Sequence, residues 1–239
     1  MDRLILNCDL GENESAEQTE QLMSLLDAAN ICCGVHAGNV EKTRETLKIA
    51  KAHHVLIGAH PGMPSAGGRG SELPSGQLFR ELLLSQLTVF MELADELQVE
   101  VAYIKLHGSL YSAVETSEEL LAVYLETLRE LDRPLGVVAL AGGCCVAACR
   151  NAKLKVWEEA FADRAYLSDG SLVKRSDSGA VLDMFDALSR YKHWREHGDF
   201  LTLDGATIAL RADTFCVHSD SPNALELLRA IVGEGLSLD

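Results

Sequence analysis

Carboxylates, histidines and one lysine recur in this chain at one kind of place, just past the end of a short apolar run. Leu4-Ile5-Leu6 leads to Asn7, Asp9 and Glu12. Asn30-Ile31-Cys32-Cys33 breaks at Gly34 and delivers His36 ahead of Gly38. Residues 55–59 end in His60, and residues 101–104 end in Lys105 and His107. Residues 155–160 lead to Asp163 and Arg164, and residues 215–217 end in His218 and Asp220. The chemistry on offer is acid–base and polar. Asp9 or Glu12 could activate water or hold a substrate amide, and His36, His60 or His107 could move protons near neutral pH. Lys105 could bind a carboxylate or stabilise an oxyanion. Asp9, His36 and His60 could together hold a divalent metal, although no His-x-x-x-His spacing supports it. Asn30, Tyr111, Asp163, Arg164, His218 and Asp220 could bind substrate. No Gly-x-Ser-x-Gly elbow offers a serine nucleophile. Each residue also has a plainer reading. Asp9 could cap a helix, His36 and His60 could be core histidines, Lys105 could be a structural ion pair, and Asp163 with Arg164 could fix a loop. Repetition at matching strand ends favours one shared site. His53, His54, His193 and His197 fall on or beside helices, away from these ends.

Residues of this kind meet only if the apolar runs lie side by side and point the same way. The pattern predicts strands at residues 4–8, 29–33, 55–59, 101–106, 135–139, 155–160 and 214–217. Helical spacing predicts helices over 18–26, 40–53, 75–97, 116–131, 144–150, 180–196 and 223–232, with Asn39 and Ser75 as N-caps and Pro222 in the first turn of the last. The Gly- and Pro-rich stretch 61–71 is long for a connection between a strand and a helix, and 166–178 is an excursion with two turn signals. Asp204-Gly205 between residues 200–203 and 207–210 is a hairpin signal. Strand and helix alternate without a linker, so residues 1–239 read as one domain. The strands read as buried on both faces, as in a parallel sheet covered by helices. Seven such units suggest a closed or nearly closed seven-stranded parallel βα-barrel, with a doubly wound sheet as the alternative. In either, the C-terminal strand ends open on one face. No Gly-x-Gly-x-x-Gly follows the first strand and no Walker-type phosphate loop is present.

The net charge is −15, from 36 acidic and 21 basic residues, which repels phosphate backbones and disfavours nucleic acid as a partner. No run of about 18 apolar residues is present, so no membrane span is expected. The N-terminus enters a strand without a signal region, which points to the cytoplasm. The 7 cysteines form an odd set with no zinc-site spacing and read as small buried hydrophobes rather than a disulfide framework.

Six stretches carry a resemblance. They are Asn7-Cys8-Asp9-Leu10-Gly11-Glu12, residues 30–38, Gly58-Ala59-His60-Pro61-Gly62, residues 105–111, residues 161–166, and Cys216-Val217-His218-Ser219-Asp220. In this order they resemble the LamB/YcsF family, over nearly the whole chain. The resemblance implies a βα-barrel akin to glycoside hydrolases and polysaccharide deacetylases. It also implies a part in opening the lactam of 5-oxoproline to glutamate, with ATP as co-substrate and with B and C subunits related to the parts of allophanate hydrolase. Other readings are a non-catalytic substrate-binding or scaffolding subunit, and a metal-dependent deacetylase or amidase. The chain departs from the family pattern at Leu106, where Pro is usual, at Ser112, where Asn is usual, and at Ser219, where Gly is usual. The loop after His60 keeps only Arg69 of an Asp and paired arginines.

Overall fold

Every strand of the barrel pairs in parallel, and, covered on both faces, the strands are largely buried rather than alternately exposed. The computed structural model describes residues 4–68, 72–221 and 223–233. Seven strands, β1 (Ile5–Leu10), β2 (Ala28–Cys32), β3 (Leu56–His60), β4 (Tyr103–Lys105), β5 (Gly136–Leu140), β6 (Val156–Phe161) and β9 (Thr214–Cys216), close into a barrel in the order β1-β2-β3-β4-β5-β6-β9. The hairpin β7 (Asp199–Leu201) and β8 (Thr207–Ala209) forms a separate two-stranded sheet, at the turn signal of Asp204-Gly205. The barrel is closed, and the doubly wound alternative falls away.

Helices α1 (Ala16–Met23), α2 (Val40–His53), α3 (Gly76–Glu96), α4 (Gly108–Thr116), α5 (Glu118–Glu130), α6 (Cys144–Asn151), α7 (Met184–His197) and α8 (Ala224–Gly233) follow the strands, and a single 3-10 turn spans Ala66–Gly68. Their starts follow local chemistry. Ser15 and Gln18 form a reciprocal capping box at α1, and Asn39, Ser75, Ser117 and Asp183 each accept a backbone N–H at the N-terminus of α2, α3, α5 and α7. α3 buries Phe79, Leu83, Leu87 and Phe90 at helical spacing, each contributing roughly 1.5–3 kcal/mol.

Three boundaries differ from the sequence pattern. A helix, α4, begins directly after His107, and extended backbone at Ser117 separates it from α5. The fourth strand shortens to three residues. α7 starts at Met184 rather than near 180 because the Asp183 side chain caps it. Pro222 and Arg69 lie outside the described residues. All seven cysteines are free and Cys144 alone is exposed. Among the described residues no helix is long and apolar enough to cross a membrane.

Register places the chemistry. Asp9 pairs with Asn30, Cys32 with His60, Asn7 with Cys216, and Glu159 with Thr214. Polar side chains at the C-terminal ends of β1, β2, β3, β4, β6 and β9 therefore converge on one mouth of the barrel.

Candidate active site

The tight turn after β2 comes first. Gly38 has φ +59°, and a Cβ there would stand 2.3 Å from the Gly11 carbonyl oxygen, so only glycine lets the loop after β2 lie against the loop after β1. That contact brings His36 to Glu12, with Nε2 at 3.1 Å from Oε1. His107 stacks on His36 at 3.9 Å between ring centroids, and its Nδ1 is 3.2 Å from the same Glu12 oxygen. His60 meets both rings edge-on, and its Nε2 is 2.9 Å from His107 Nδ1 and 3.9 Å from Glu12 Oε1. Gly62 and Gly68 are covers for these rings. A Cβ on Gly62 would sit 2.5 Å from His36 Nδ1, and one on Gly68 would sit 2.4 Å from the His107 ring.

Backbone carbonyls set the tautomers. His60 Nδ1 is 2.8 Å from the Lys105 carbonyl and His107 Nε2 is 3.1 Å from the Gly67 carbonyl. A carbonyl only accepts, so both nitrogens carry hydrogen. In neutral rings, His60 Nε2 and His107 Nδ1 are then bare lone pairs facing each other beside a carboxylate. That arrangement asks for a positive charge between them, a proton or a metal ion. Imidazoles that donate their second nitrogen to backbone carbonyls are the usual supports of metal ligands. Among the described residues, Glu12, His36, His60 and His107 form one of two side-chain groups whose donor atoms lie within 4.8 Å of one another; the other is Asp9, Cys216 and His218. Ligand atoms about 2.0–2.1 Å from a metal stand about 3.3 Å apart in a tetrahedron, within the range of the 2.9–3.9 Å spacings between Glu12 and the three histidines.

Burial pushes the Glu12 carboxyl up, but hydrogen bonds from His107 and His36 outweigh it and hold the carboxyl far below the carboxylate range. Burial lowers His60 to about 4, against the opposing pull of Asp9. His36 is raised, because contacts with Cys32 and Glu12 overcome its burial.

The second group lies deeper. Asn30 Nδ2 donates to Asp9 Oδ1 at 2.7 Å and to Asn7 Oδ1 at 2.7 Å, and the Tyr103 hydroxyl donates to Asn30 Oδ1 at 2.7 Å. Lys105 Nζ donates to Asp9 Oδ1 at 2.8 Å and pairs with Glu159 Oε1 at 3.0 Å. Burial pushes the Asp9 carboxyl up, yet His60 and Lys105 hold it well below its ordinary value. Asp9 Oδ2 is left to the histidines, 3.4 Å from His60 Nε2 and 3.9 Å from His218 Nε2.

His218 is oriented from behind. Its Nδ1 is 3.1 Å from both Asp163 oxygens, its backbone N–H donates to Asp163 Oδ2 at 3.1 Å, and the Phe161 ring stacks on it at 5.3 Å. The Asp163 contact puts the hydrogen on Nδ1 and leaves Nε2 bare toward the mouth. Ser221 Oγ also donates to Asp163. Arg190 closes this support by donating to the carbonyls of Phe161, Ala162 and Arg164. Burial raises the Asp163 carboxyl, but His218 and Ser221 lower it to about 2 from the ordinary 3.8. A depressed carboxylate stabilises the fold above the ordinary value, here by about 2 kcal/mol, and the contribution is lost as pH falls from about 4 to about 2. The melting temperature of Asp163→Asn should therefore lie below wild type at pH 6, with the gap closing between pH 4 and pH 2. A gap that is constant with pH would contradict this.

The structure thus brings together Asp9, Glu12, Asn30, His36, His60, Lys105, His107, Asp163 and His218. Tyr111 is buried against Phe161, its ring 5.7 Å away. Asp220 stands at the rim, bound to Arg175 at 2.6 Å, in the wall of a groove of about 450 Å³ that also exposes Glu12. Arg164 is turned to the excursion, where Nε donates to the Ala180 carbonyl and a terminal nitrogen to the Val173 carbonyl. Sequence reasoning missed Glu159, Tyr103 and Arg190. For Glu159 a signal existed. Glu158-Glu159 interrupts a strand at adjacent positions, so one of the two must face the barrel interior.

The family model for LamB/YcsF matches residues 4–235. The chain belongs to the LamB/YcsF family. The A-subunit of 5-oxoprolinase from Staphylococcus aureus (strain MSSA476) is 34% identical over 247 aligned positions, covering 99% of this chain and 98% of the relative. The crystal structure of a lactam utilization protein from Thermus thermophilus superposes with a TM-score of 0.84 at 33% identity, covering 96% of this chain and 94% of that one. This LamB/YcsF member keeps Asp9, Glu12, His36, His60, Lys105, His107, Asp163 and His218 in one mouth even where Leu106, Ser112 and Ser219 depart from the expected pattern.

Proposed function

We propose that this chain is the A component of an ATP-dependent 5-oxoprolinase, a single barrel domain that opens the lactam of 5-oxoproline to glutamate. The observation that carries this reading is the convergence of Glu12, His36, His60 and His107 with Asp9 and the Asp163–His218 pair at one barrel mouth. Names borne by relatives that align end to end support the substrate class.

A lactam is a poor electrophile, and hydrolysis needs an activated carbonyl, a water that loses a proton, and a ring nitrogen that gains one. ATP answers the first need by phosphorylating the carbonyl oxygen. The chain has no phosphate loop, so we assign nucleotide binding to partner subunits that resemble the two parts of allophanate hydrolase. The mouth answers the other two needs. His218, with Nδ1 on Asp163 and Nε2 bare, accepts a proton from water, and Asp163 stabilises the imidazolium that results. Asp9, kept ionised by Lys105, faces both His218 and His60 and stabilises positive charge on either. A proton held between the facing lone pairs of His60 Nε2 and His107 Nδ1, beside the Glu12 carboxylate, can be delivered to the leaving nitrogen. A divalent metal fits this donor set. Glu12, His36, His60 and His107 would hold it, and it would supply Lewis-acid polarisation of the carbonyl and a more acidic water. The reaction belongs in the cytoplasm, where ATP is available.

Purified partner subunits should hydrolyse ATP with 5-oxoproline but release glutamate only when this chain is added. Glutamate release by the partners alone, unchanged on addition, would favour a scaffolding role instead.

A further inference from the structure

Glu159 has no part in the mechanism above, yet it is a fully buried carboxylate at the centre of the barrel. It lies against the one buried lysine of the mouth. An ammonium has three N–H donors. Those of Lys105 go to Asp9 Oδ1 at 2.8 Å, Glu159 Oε1 at 3.0 Å and Cys216 Sγ at 3.2 Å. The three acceptors come from three strands, β1, β6 and β9, so the ammonium is held from different sides and has no donor left over. Glu159 is itself fixed. Asn7 Nδ2 donates to Oε1 at 3.1 Å and also to Thr214 Oγ1 at 2.6 Å. Its second oxygen makes no well-aligned hydrogen bond, and neither does the neighbouring Tyr111 hydroxyl. The Lys105 ammonium also lies 5.3 Å from the centre of the Phe161 ring, the ring that stacks on His218.

Two of these acceptors, Asp9 and Cys216, belong to the Asp9–Cys216–His218 group, the second place where donor atoms are close enough for a metal. The ammonium already bonds to two of its three members. Among the described residues no lysine or arginine bonds to the other group, in which Glu12 is met only by histidines.

We propose that Glu159 is a positioning residue that pins Lys105 against Asp9 as a permanent cation, closing the Asp9–Cys216–His218 group to metal and confining divalent metal to Glu12, His36, His60 and His107. The metal half rests on the reading of the Glu12 group given above, and the ammonium half does not. With glutamine at 159 the third acceptor becomes a neutral amide oxygen, and Nζ is held less firmly against Asp9. Asp9 Oδ1 would then lose its bond to the ammonium and keep the one from Asn30.

The test is a cycle of Glu159→Gln, Lys105→Met and the double variant in the full chain. Glu159→Gln should lower the melting temperature by several degrees in the wild-type background and by less than a third as much when Lys105 is already methionine. Equal losses in both backgrounds would overturn the pairing. Lys105→Gln replaces the methionine variant in the same cycle if that one does not fold. Zinc retained after dialysis, measured by mass spectrometry on the isolated chain, should be one ion per wild-type chain and two per Lys105→Met chain. Two ions in wild type, or one after Lys105 is removed, would overturn the exclusion. No zinc in wild type would refute the metal reading of the Glu12 group and leave the thermal cycle to judge Glu159. In the reconstituted complex, at a temperature where the variant is folded, Glu159→Gln should lower kcat tenfold or more with KM unchanged. A change in KM alone would assign Glu159 to substrate binding and overturn the positioning role.

Discussion

Glu12→Gln should lower glutamate release by the reconstituted complex at least a hundredfold, in the range expected for loss of one acid–base group, and leave the fold intact. The reason is the separation of duties at this residue. The Glu12 carboxylate supports no strand. It lies in the loop after β1, and its oxygen Oε1 is shared by His36 at 3.1 Å and His107 at 3.2 Å. Its carboxyl is held far below the carboxylate range despite burial, so it is ionised at any working pH. Glutamine keeps the shape and removes the charge. The two imidazoles then face an amide, and the bare nitrogens of His60 and His107 lose the anion that lets a proton or metal ion settle between them. The isolated variant should melt within a few degrees of wild type while retaining less metal. A rate within threefold of wild type would remove Glu12 from the reacting centre.

Gly58→Ala should cost more stability than any change at the mouth. Gly58 pairs with Asn30 on one side and Tyr103 on the other. An added Cβ would lie 2.0 Å from the Tyr103 ring. That ring is buried and meets Trp157 edge-on at 5.7 Å between centroids, so it can yield only by shifting against its neighbours. Overpacking of this kind costs about 1–3 kcal/mol, and losing the hydrogen bond from Tyr103 to Asn30 costs about 1–3 kcal/mol more. At about 2–4 °C per kcal/mol for a chain of this size, the melting temperature should fall by roughly 10 °C. Tyr103→Leu in the same chain should recover part of the loss by removing the obstruction, as coupled neighbours do. Melting within 2 °C of wild type would contradict the packing described here.

The two substitutions also mark what was legible in the amino-acid order. Period and punctuation revealed the barrel, because a strand buried on both faces is mainly apolar and glycine, asparagine and serine mark the turns. The rim residues were legible for the same reason. A parallel barrel puts strand ends together, so Asp9, His36, His60 and Lys105 could be grouped without coordinates. The helix after His107 was not legible, since Gly108-Ser109-Leu110-Tyr111 is short, small-residue sequence and its helix is fixed by packing on α5 and α6. Nor were the partners of each ionisable group. His36 and His60 were grouped with Asp9 as metal ligands, whereas the structure groups them with Glu12 and His107 and gives one Asp9 oxygen to Lys105. Register decides such pairings, and a shift of one residue moves a side chain from the barrel interior to the helix side. Arg164 looks like a rim residue by position, yet its donors reach the carbonyls of an excursion whose path has no periodic signal.

The most direct measurement follows ATP and glutamate together in the complete complex containing His60→Ala. His60 Nε2 touches both halves of the mouth, 2.9 Å from His107 and 3.4 Å from Asp9, while its Nδ1 is fixed on the Lys105 carbonyl. With the lactam opened at this mouth and nucleotide bound on the partners, ATP hydrolysis should continue and glutamate release should stop. Glutamate formed at the wild-type rate and in the wild-type ratio to ATP would place the reaction elsewhere.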